Sequence, residues 1–423
     1  MFNPINGSAH AFAPTWIRGA ALACALVAAG PVQADPLTFD QALVQAVGDA
    51  PELRASALSV DAARSAAPAA GLLPDPRLSV ALDSYPISGP LAGRPQDDNF
   101  TMLKFGVSQD VPSRARRRAE RGIADAEIDV AVAEDRIALR EVRVAAGLAW
   151  IDLFYAARRI EALDDVLSSL QPLWDTAPAG VASGAERPAN ALGPVQLKAA
   201  LDDRRSELVA DREKARAALA RWTGDAEPVT FGPPPPTHLD SVTLMAGLDR
   251  LPSLNAFQAF GRRADAQVDL ARAGRQPDWS FELGYARRDP QFGDYVSVGA
   301  SVRLPIFQDQ RQEPLIAARA AQSRAVLAER EATERDLSSS LRSDLADHVM
   351  HHDRWVRSRD VVLPTVIQRS ELETASYAAG RAGITEVLEA FTAVANARLD
   401  TLDREAEVAR DAVHITLTYG SDQ

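Results

Sequence analysis

Trp279-Ser280-Phe281-Glu282-Leu283-Gly284-Tyr285 alternates without a break, with Trp, Phe, Leu and Tyr on one side and Ser, Glu and Gly on the other. A period of two with one apolar and one polar face is the pattern of a half-buried strand. After turn residues at Asp289 to Asp294, the alternation resumes: Val296, Val298, Ala300, Val302 and Leu304 oppose Ser297, Gly299, Ser301 and Arg303. The same pattern occurs earlier. Leu78, Val80 and Leu82 alternate with Ser79, Ala81 and Asp83, and Leu103, Phe105 and Val107 with Lys104, Gly106 and Ser108. Each run is about 9–10 residues, the length of a tilted strand that crosses a bilayer. The pattern alone fits a soluble hairpin on a core equally well. Trp279 and Tyr285, toward the strand ends, suit an interfacial aromatic girdle. Four such strands cannot close a barrel, and lipid tolerates no open sheet edge, so the barrel reading requires oligomerisation.

Outward from the strands the periodicity changes. Residues 38–71 and 241–274 are alanine-rich and predicted helical, stopped by Pro74, Pro76 and Pro277, since proline disfavours helix at the residue before it. These pieces recur in order, as a search for internal repeats shows. Ala50-Pro51-Glu52-Leu53 pairs with Leu251-Pro252-Ser253-Leu254, Pro74-Asp75 with Pro277-Asp278, Gly106-Val107-Ser108 with Gly299-Ala300-Ser301, and Pro112 with Pro305. The expected organisation is a first repeat at 35–226, a stiff Pro-rich linker at 227–240 and a second repeat at 241–420. The loop Pro86 to Asn99 is longer than its counterpart at 289–294 and is expected to decorate the mouth on the far side of the strands.

The rest reads as long helix. No proline interrupts Ser113 to Gln171, about 59 residues or ~88 Å of helix. Ile123, Val130, Ile137, Val144 and Ile151 recur every seven residues, with the small Ala126, Ala133 and Gly147 three positions on. Sustained heptads predict coiled-coil packing with close approach. A return helix is expected from about Pro194 to Arg221. In the second half the outgoing helix is expected over Pro314 to Tyr377, kinked or broken at Pro364, and the return over Ile384 to Leu417.

Export is written at the N-terminus: Arg18, an apolar run from Gly19 to Gly30, then Val32-Gln33-Ala34 before Asp35. This predicts a secretory signal peptide over 1–34. Cys24, the only cysteine of the 423 residues, lies within that run. Its removal would leave no disulfide, thiolate ligand or cysteine nucleophile. A lipoprotein-type site at Cys24 is the weaker alternative. No later stretch suits a transmembrane helix, so membrane insertion would be by β-barrel. A net charge of −12 argues against nucleic acid as a partner.

Together, the signal peptide, the duplicated strand pairs with long helical hairpins, and one tip sequence resemble the TolC-like outer-membrane efflux protein family. The tip is Tyr377-Ala378-Ala379-Gly380-Arg381-Ala382-Gly383-Ile384-Thr385-Glu386-Val387-Leu388-Glu389-Ala390, and Leu73-Pro74-Asp75-Pro76-Arg77-Leu78 resembles the heavy-metal cation branch of that family. The resemblance implies a mainly α fold with a small β portion: a homotrimer with a twelve-stranded barrel joined to a periplasmic α-helical barrel. It further implies an exit duct of a tripartite efflux system, docked to a periplasmic adaptor and an inner-membrane pump, with the outer membrane as its lipid surroundings. A multidrug or protein-secretion duct is the alternative within the family. A soluble periplasmic coiled-coil adaptor is the alternative outside it.

Tyr377, Gly380, Arg381 and Gly383 are the tip residues so implied, with Glu386 and Glu389 lining the periplasmic constriction. The physical reading of the two glutamates is compatible. At i and i+3 they share a helix face, and threefold symmetry would gather six carboxylates into a cation-attracting ring. A solvated acidic first turn, favourable at a helix N-terminus, is the alternative. The basic residue of the family's tip would align at Ala382, with Arg381 beside it. His348, His351 and His352 with Asp344 and Asp347 form the one metal-like cluster, but without a third ligand at fixed spacing it reads as a polar helix face. No phosphate loop or nucleophile elbow is present, so neither a cofactor nor enzyme chemistry is expected.

Overall fold

The computed structural model describes residues 36–182, 189 and 192–420. The expected signal peptide with Cys24, and most of the turn between the first long helix and its return, lie outside these residues. Within them, one succession of elements occurs twice. The first round is α1 (Phe39–Asp49), α2 (Pro51–Ala66), β1 (Arg77–Asp83), β2 (Met102–Val111), α3 (Arg114–Ala182) and α4 (Leu192–Thr223). The second is α5 (Ser241–Gly247), α6 (Pro252–Ala273), β3 (Asp278–Arg287), β4 (Tyr295–Arg303), α7 (Gln308–Arg357), α8 (Leu363–Ala378) and α9 (Ile384–Tyr419).

The local signals explain most boundaries. Thr38 and Gln41 form a reciprocal capping box on α1, and Asp240 caps α5 through the amides of Val242 and Thr243. Pro51 and Pro252 open α2 and α6, where a missing N–H costs nothing. Two helices exceed their expected bounds. The α3 backbone continues past Pro172 to Ala182, and α7 starts at Gln308, carrying Pro314 inside its second turn. One lost amide is a small defect in a helix of 50 residues held along one side by neighbours. Pro364 falls at the expected break: a π-turn over Ser358–Val362 takes up its missing hydrogen bond, and α8 begins at once.

Seven-residue spacing holds in α3, but with a corrected phase. The buried stripe is Val142, Ala149, Ala156, Leu163 and Leu170, with Ala146, Leu153 and Ile160 four positions on. Of the expected seam, Ala126, Val130, Gly147 and Ile151 are buried, while Ile123, Ala133, Ile137 and Val144 are only half-covered. A strict heptad drifts by about 20° per repeat on a straight helix. The partners also change, from α2 and α6 near the strands to α1, α4 and α9 farther on.

Among the described residues, several apolar clusters hold the helical body, including one where Leu43 and Ala46 of α1 meet Val142 and Ala146 of α3. Around wholly buried Trp150 pack Ile151, Leu153, Leu219 and Val413. Its indole N–H donates to the Leu37 carbonyl at 2.9 Å, and Phe39 meets the ring edge-on at 5.6 Å. Farther along α3, Leu163 and Leu170 meet Leu201 and Leu208 of α4 and Val394 and Leu399 of α9. Leu341 of α7 closes against Ile415 and Tyr419 of α9 and Leu244, Leu248 and Leu251. The linker is extended and tied down: Leu37 exchanges backbone hydrogen bonds with Val229 and Phe231 at 2.7 and 2.9 Å.

The strands form one antiparallel sheet in the order β1-β2-β3-β4. Register fixes its faces, because directly paired residues share a side. Leu78 pairs with Val107, Val80 with Phe105, Phe105 with Tyr285, Leu283 with Val298, and Trp279 with Val302. All the expected apolar positions within the strands therefore lie on one continuous face. Nothing among the described residues covers it: Leu78 is 75% and Val298 83% exposed, and every residue of β4 is exposed.

Candidate functional site

The tip between α8 and α9 ends in a left-handed cap. The Arg381 amide donates to the Ser376 carbonyl at 2.8 Å and the Gly380 amide to Tyr377 at 2.9 Å, a Schellman motif. Its left-handed residue is Gly380, at φ +71°. Gly383 is different. It caps α9 in extended backbone (φ −86°, ψ 167°), where any residue fits, and an added Cβ would meet only the flexible end of Glu386. Tyr377 packs on Ile384 and Leu388, which with Leu197 of α4 form a small apolar cluster beneath the tip.

On α9 the buried side carries Ile384, Val387, Leu388 and Ala390, while Glu386 and Glu389 stand exposed on the other side. Among the described residues neither glutamate has an ion-pair partner, and Arg381, also exposed, has none either. Six such carboxylates from three chains could attract cations at a narrow opening. One chain holds only two.

At the other end of the molecule, the polar face of the sheet keeps its charges mostly in pairs. Arg77 meets Asp110 at 3.2 Å, Lys104 pairs with Asp83, and Arg116 at the start of α3 reaches Asp278 at 3.3 Å. On the apolar face, Trp279 stacks on Phe281 at 6.3 Å and Tyr285 on Phe105 at 6.5 Å; the Tyr285 hydroxyl donates to Asp294 in the following turn. Arg288 joins the two loops beyond the strands, donating to Gly293 and Phe292 of its own loop and to Asn99 of the longer one.

The histidine cluster divides. His348 is buried, and its Nε2–H donates to the Thr237 carbonyl of the linker at 3.0 Å. Burial holds this imidazole below the ordinary histidine range, against the pull of Asp411. His351 bonds Asp411 of α9 through Nδ1 at 2.8 Å, whereas His352 lies against Trp355. The spacing-four pair thus fails to converge, and among the described residues no group of three or more such side chains could hold a metal ion. Sequence reading missed Asp411 because it is 60 residues from His351 and only the α7–α9 packing unites them. Asp344 likewise accepts from the Tyr419 hydroxyl at 2.9 Å.

With this geometry in view, the relatives are informative. Residues 246–421 match the sequence model of the family described as outer membrane efflux protein. Over this stretch, somewhat less than half of the chain, the protein is similar to that family. Solved structures extend the likeness to the whole fold. A membrane protein from Pseudomonas aeruginosa superposes with a TM-score of 0.74 at 16% identity, covering 90% of both chains. The CmeC outer membrane channel of Campylobacter jejuni does so at 0.72 and 13%, covering 90% of this chain and 85% of that one. The MtrE outer membrane channel of Neisseria gonorrhoeae, in its open state, gives 0.70 and 17%, covering 90% and 89%. No curated protein matches the sequence. The fold of this chain is therefore similar to that of these outer-membrane channels, and no helix among its described residues is long and apolar enough to cross a membrane.

Proposed function

We propose that this chain is the outer-membrane exit duct of a tripartite efflux system, working as a homotrimer that docks a periplasmic adaptor and an inner-membrane pump. One observation carries the reading: a four-stranded sheet with one continuous apolar face that nothing among the described residues covers. Such a face suits lipid, and the open outer edges of β1 and β4 need partners there. With four strands per chain, three copies supply twelve. Trp279 and Tyr285 then serve as the aromatic girdle, and repeats 35–226 and 241–420 each contribute one strand pair and one helical hairpin to the tube. The tip residues Tyr377, Gly380, Arg381 and Gly383 shape the periplasmic end, where Glu386 and Glu389 form the constriction ring.

The cargo is best read as divalent or heavy-metal cations. Two features support this: the carboxylates on the exposed side of α9, and the resemblance of the string at 73–78 to the heavy-metal branch. A multidrug or protein-secretion duct with the same architecture is the second reading. The test is single-channel recording in planar bilayers. The wild type should conduct with cation preference, and Glu386→Gln with Glu389→Gln should reduce that preference several-fold. Unchanged selectivity would remove the glutamates from the constriction, and a protein found wholly in the soluble periplasm would sink the duct reading.

A further inference from the structure

Glu282 stands half-way along β3 (Asp278–Arg287), on the polar face of the sheet. Its cross-strand partners are Ser108 and Gly299, and along the strand its neighbours on that face are Ser280 and Gly284. Its one charged diagonal neighbour is another acid, Asp110, already engaged by Arg77 at 3.2 Å. Lys104, another cation of the same face, feels the Glu282 charge but is hydrogen-bonded to Asp83. Among the described residues Glu282 has no ion-pair partner, and its side chain is exposed.

The surroundings keep the carboxylate open. A Cβ on Gly106 would lie 3.6 Å from its Oε1, and one on Gly299 3.8 Å from its Cβ. Glycine at both places leaves room for water around the carboxylate. Glutamate is a poor strand former, and an unpaired, hydrated carboxylate adds nothing to the sheet. Nor can assembly change its neighbours: β3 is an interior strand, paired on both sides within its own chain.

We propose that Glu282 is a second cation-selecting position of the duct, placed inside the barrel at mid-membrane depth. This rests on the duct reading above, in which the face opposite the apolar one lines the water-filled interior. An ionisable side chain at that depth marks an ion pathway, and a ring of carboxylates in a pore favours cations over anions. Three copies of Glu282 form such a ring. The duct then filters at two levels, the tip and the barrel, and its cargo class is cationic along the whole path.

The experiment compares wild type, Glu282→Gln, Glu282→Asp, the tip double variant, and the double variant combined with Glu282→Gln, by reversal potential in a KCl gradient. Glu282→Gln should lower the cation-to-anion permeability ratio by about two-fold or more, with Glu282→Asp close to wild type. The tip double variant should keep a residual preference that disappears only when Glu282 is also neutralised. Channels of Glu282→Gln with normal conductance and an unchanged ratio would overturn the inference while leaving the duct reading intact. A wild type that forms no channels would overturn the duct reading and this inference with it. Water access is checked separately with Glu282→Cys in a Cys24→Ala background. A charged thiol reagent should shift the conductance of the inserted channel, and an inserted thiol that does not react would also overturn the proposal.

Discussion

Inside the helical body Trp150 and Leu163 are completely enclosed, whereas in the sheet Val298 is 83% exposed and no residue of β4 is covered. Both regions come from the same chain and both are regular. The difference lies in what satisfies their side chains. The helices bury apolar residues on each other, through α3, α4 and α9 around Trp150 and Leu163. The sheet has backbone ladders but no apolar partner of its own, so its apolar face depends on the surroundings. A single copy of the chain therefore contains one region that buries its own apolar side chains and one that, in the proposed duct, is completed by lipid and neighbouring copies.

The sharpest way to break this comparison is to damage each region and ask which property fails. Trp150→Ala should destabilise the helical body by about 3–5 kcal/mol, through the lost burial and the cavity. Denaturant unfolding followed by far-ultraviolet circular dichroism checks this; a loss below ~1 kcal/mol would mean the Trp150 cluster is not the centre of the body. Val298→Arg should act oppositely. It leaves the stability of the helical body within about 0.5 kcal/mol but opposes membrane insertion by roughly 2–4 kcal/mol at mid-depth. Folding into vesicles, read by heat-modifiable gel mobility, measures it; equal insertion of variant and wild type would place Val298 away from lipid.

The smallest expected effect sharpens the comparison at the tip. Gly380→Ala puts a Cβ on a residue at φ +71° and should cost about 1 kcal/mol. Gly383→Ala, in extended backbone, should be within about 0.5 kcal/mol of wild type. Thermal melts of the two variants distinguish them. Equal losses would mean that the tip does not hold the conformation described.

Much of this was legible in the residues, and the failures follow a rule. The strands were readable because period-two alternation from Trp279 to Tyr285 has no helical counterpart. The cap at Gly380 and the π-turn before Pro364 lay where glycine and proline demanded them. The phase of the α3 seam was not readable. Apolar residues at 123, 130 and 137 satisfy a heptad as well as those at 142, 149 and 156, and only the identity of the facing helix chooses between them. The extension of α3 past Pro172 was missed for a similar reason: the proline penalty is local, and packing along a long helix can exceed it. His351 and Asp411 meet only through the α7–α9 contact.

The sequence by itself determined the element types, their repetition, and the two-faced character of the strands, because these follow from spacing along a single chain. Tertiary structure alone decided that the four strands join in one sheet with the expected apolar positions on a common face. It alone left Glu282 without a partner between Ser108 and Gly299. Register and pairing depend on residues far apart in the chain, and no local periodicity encodes which strand lies beside which.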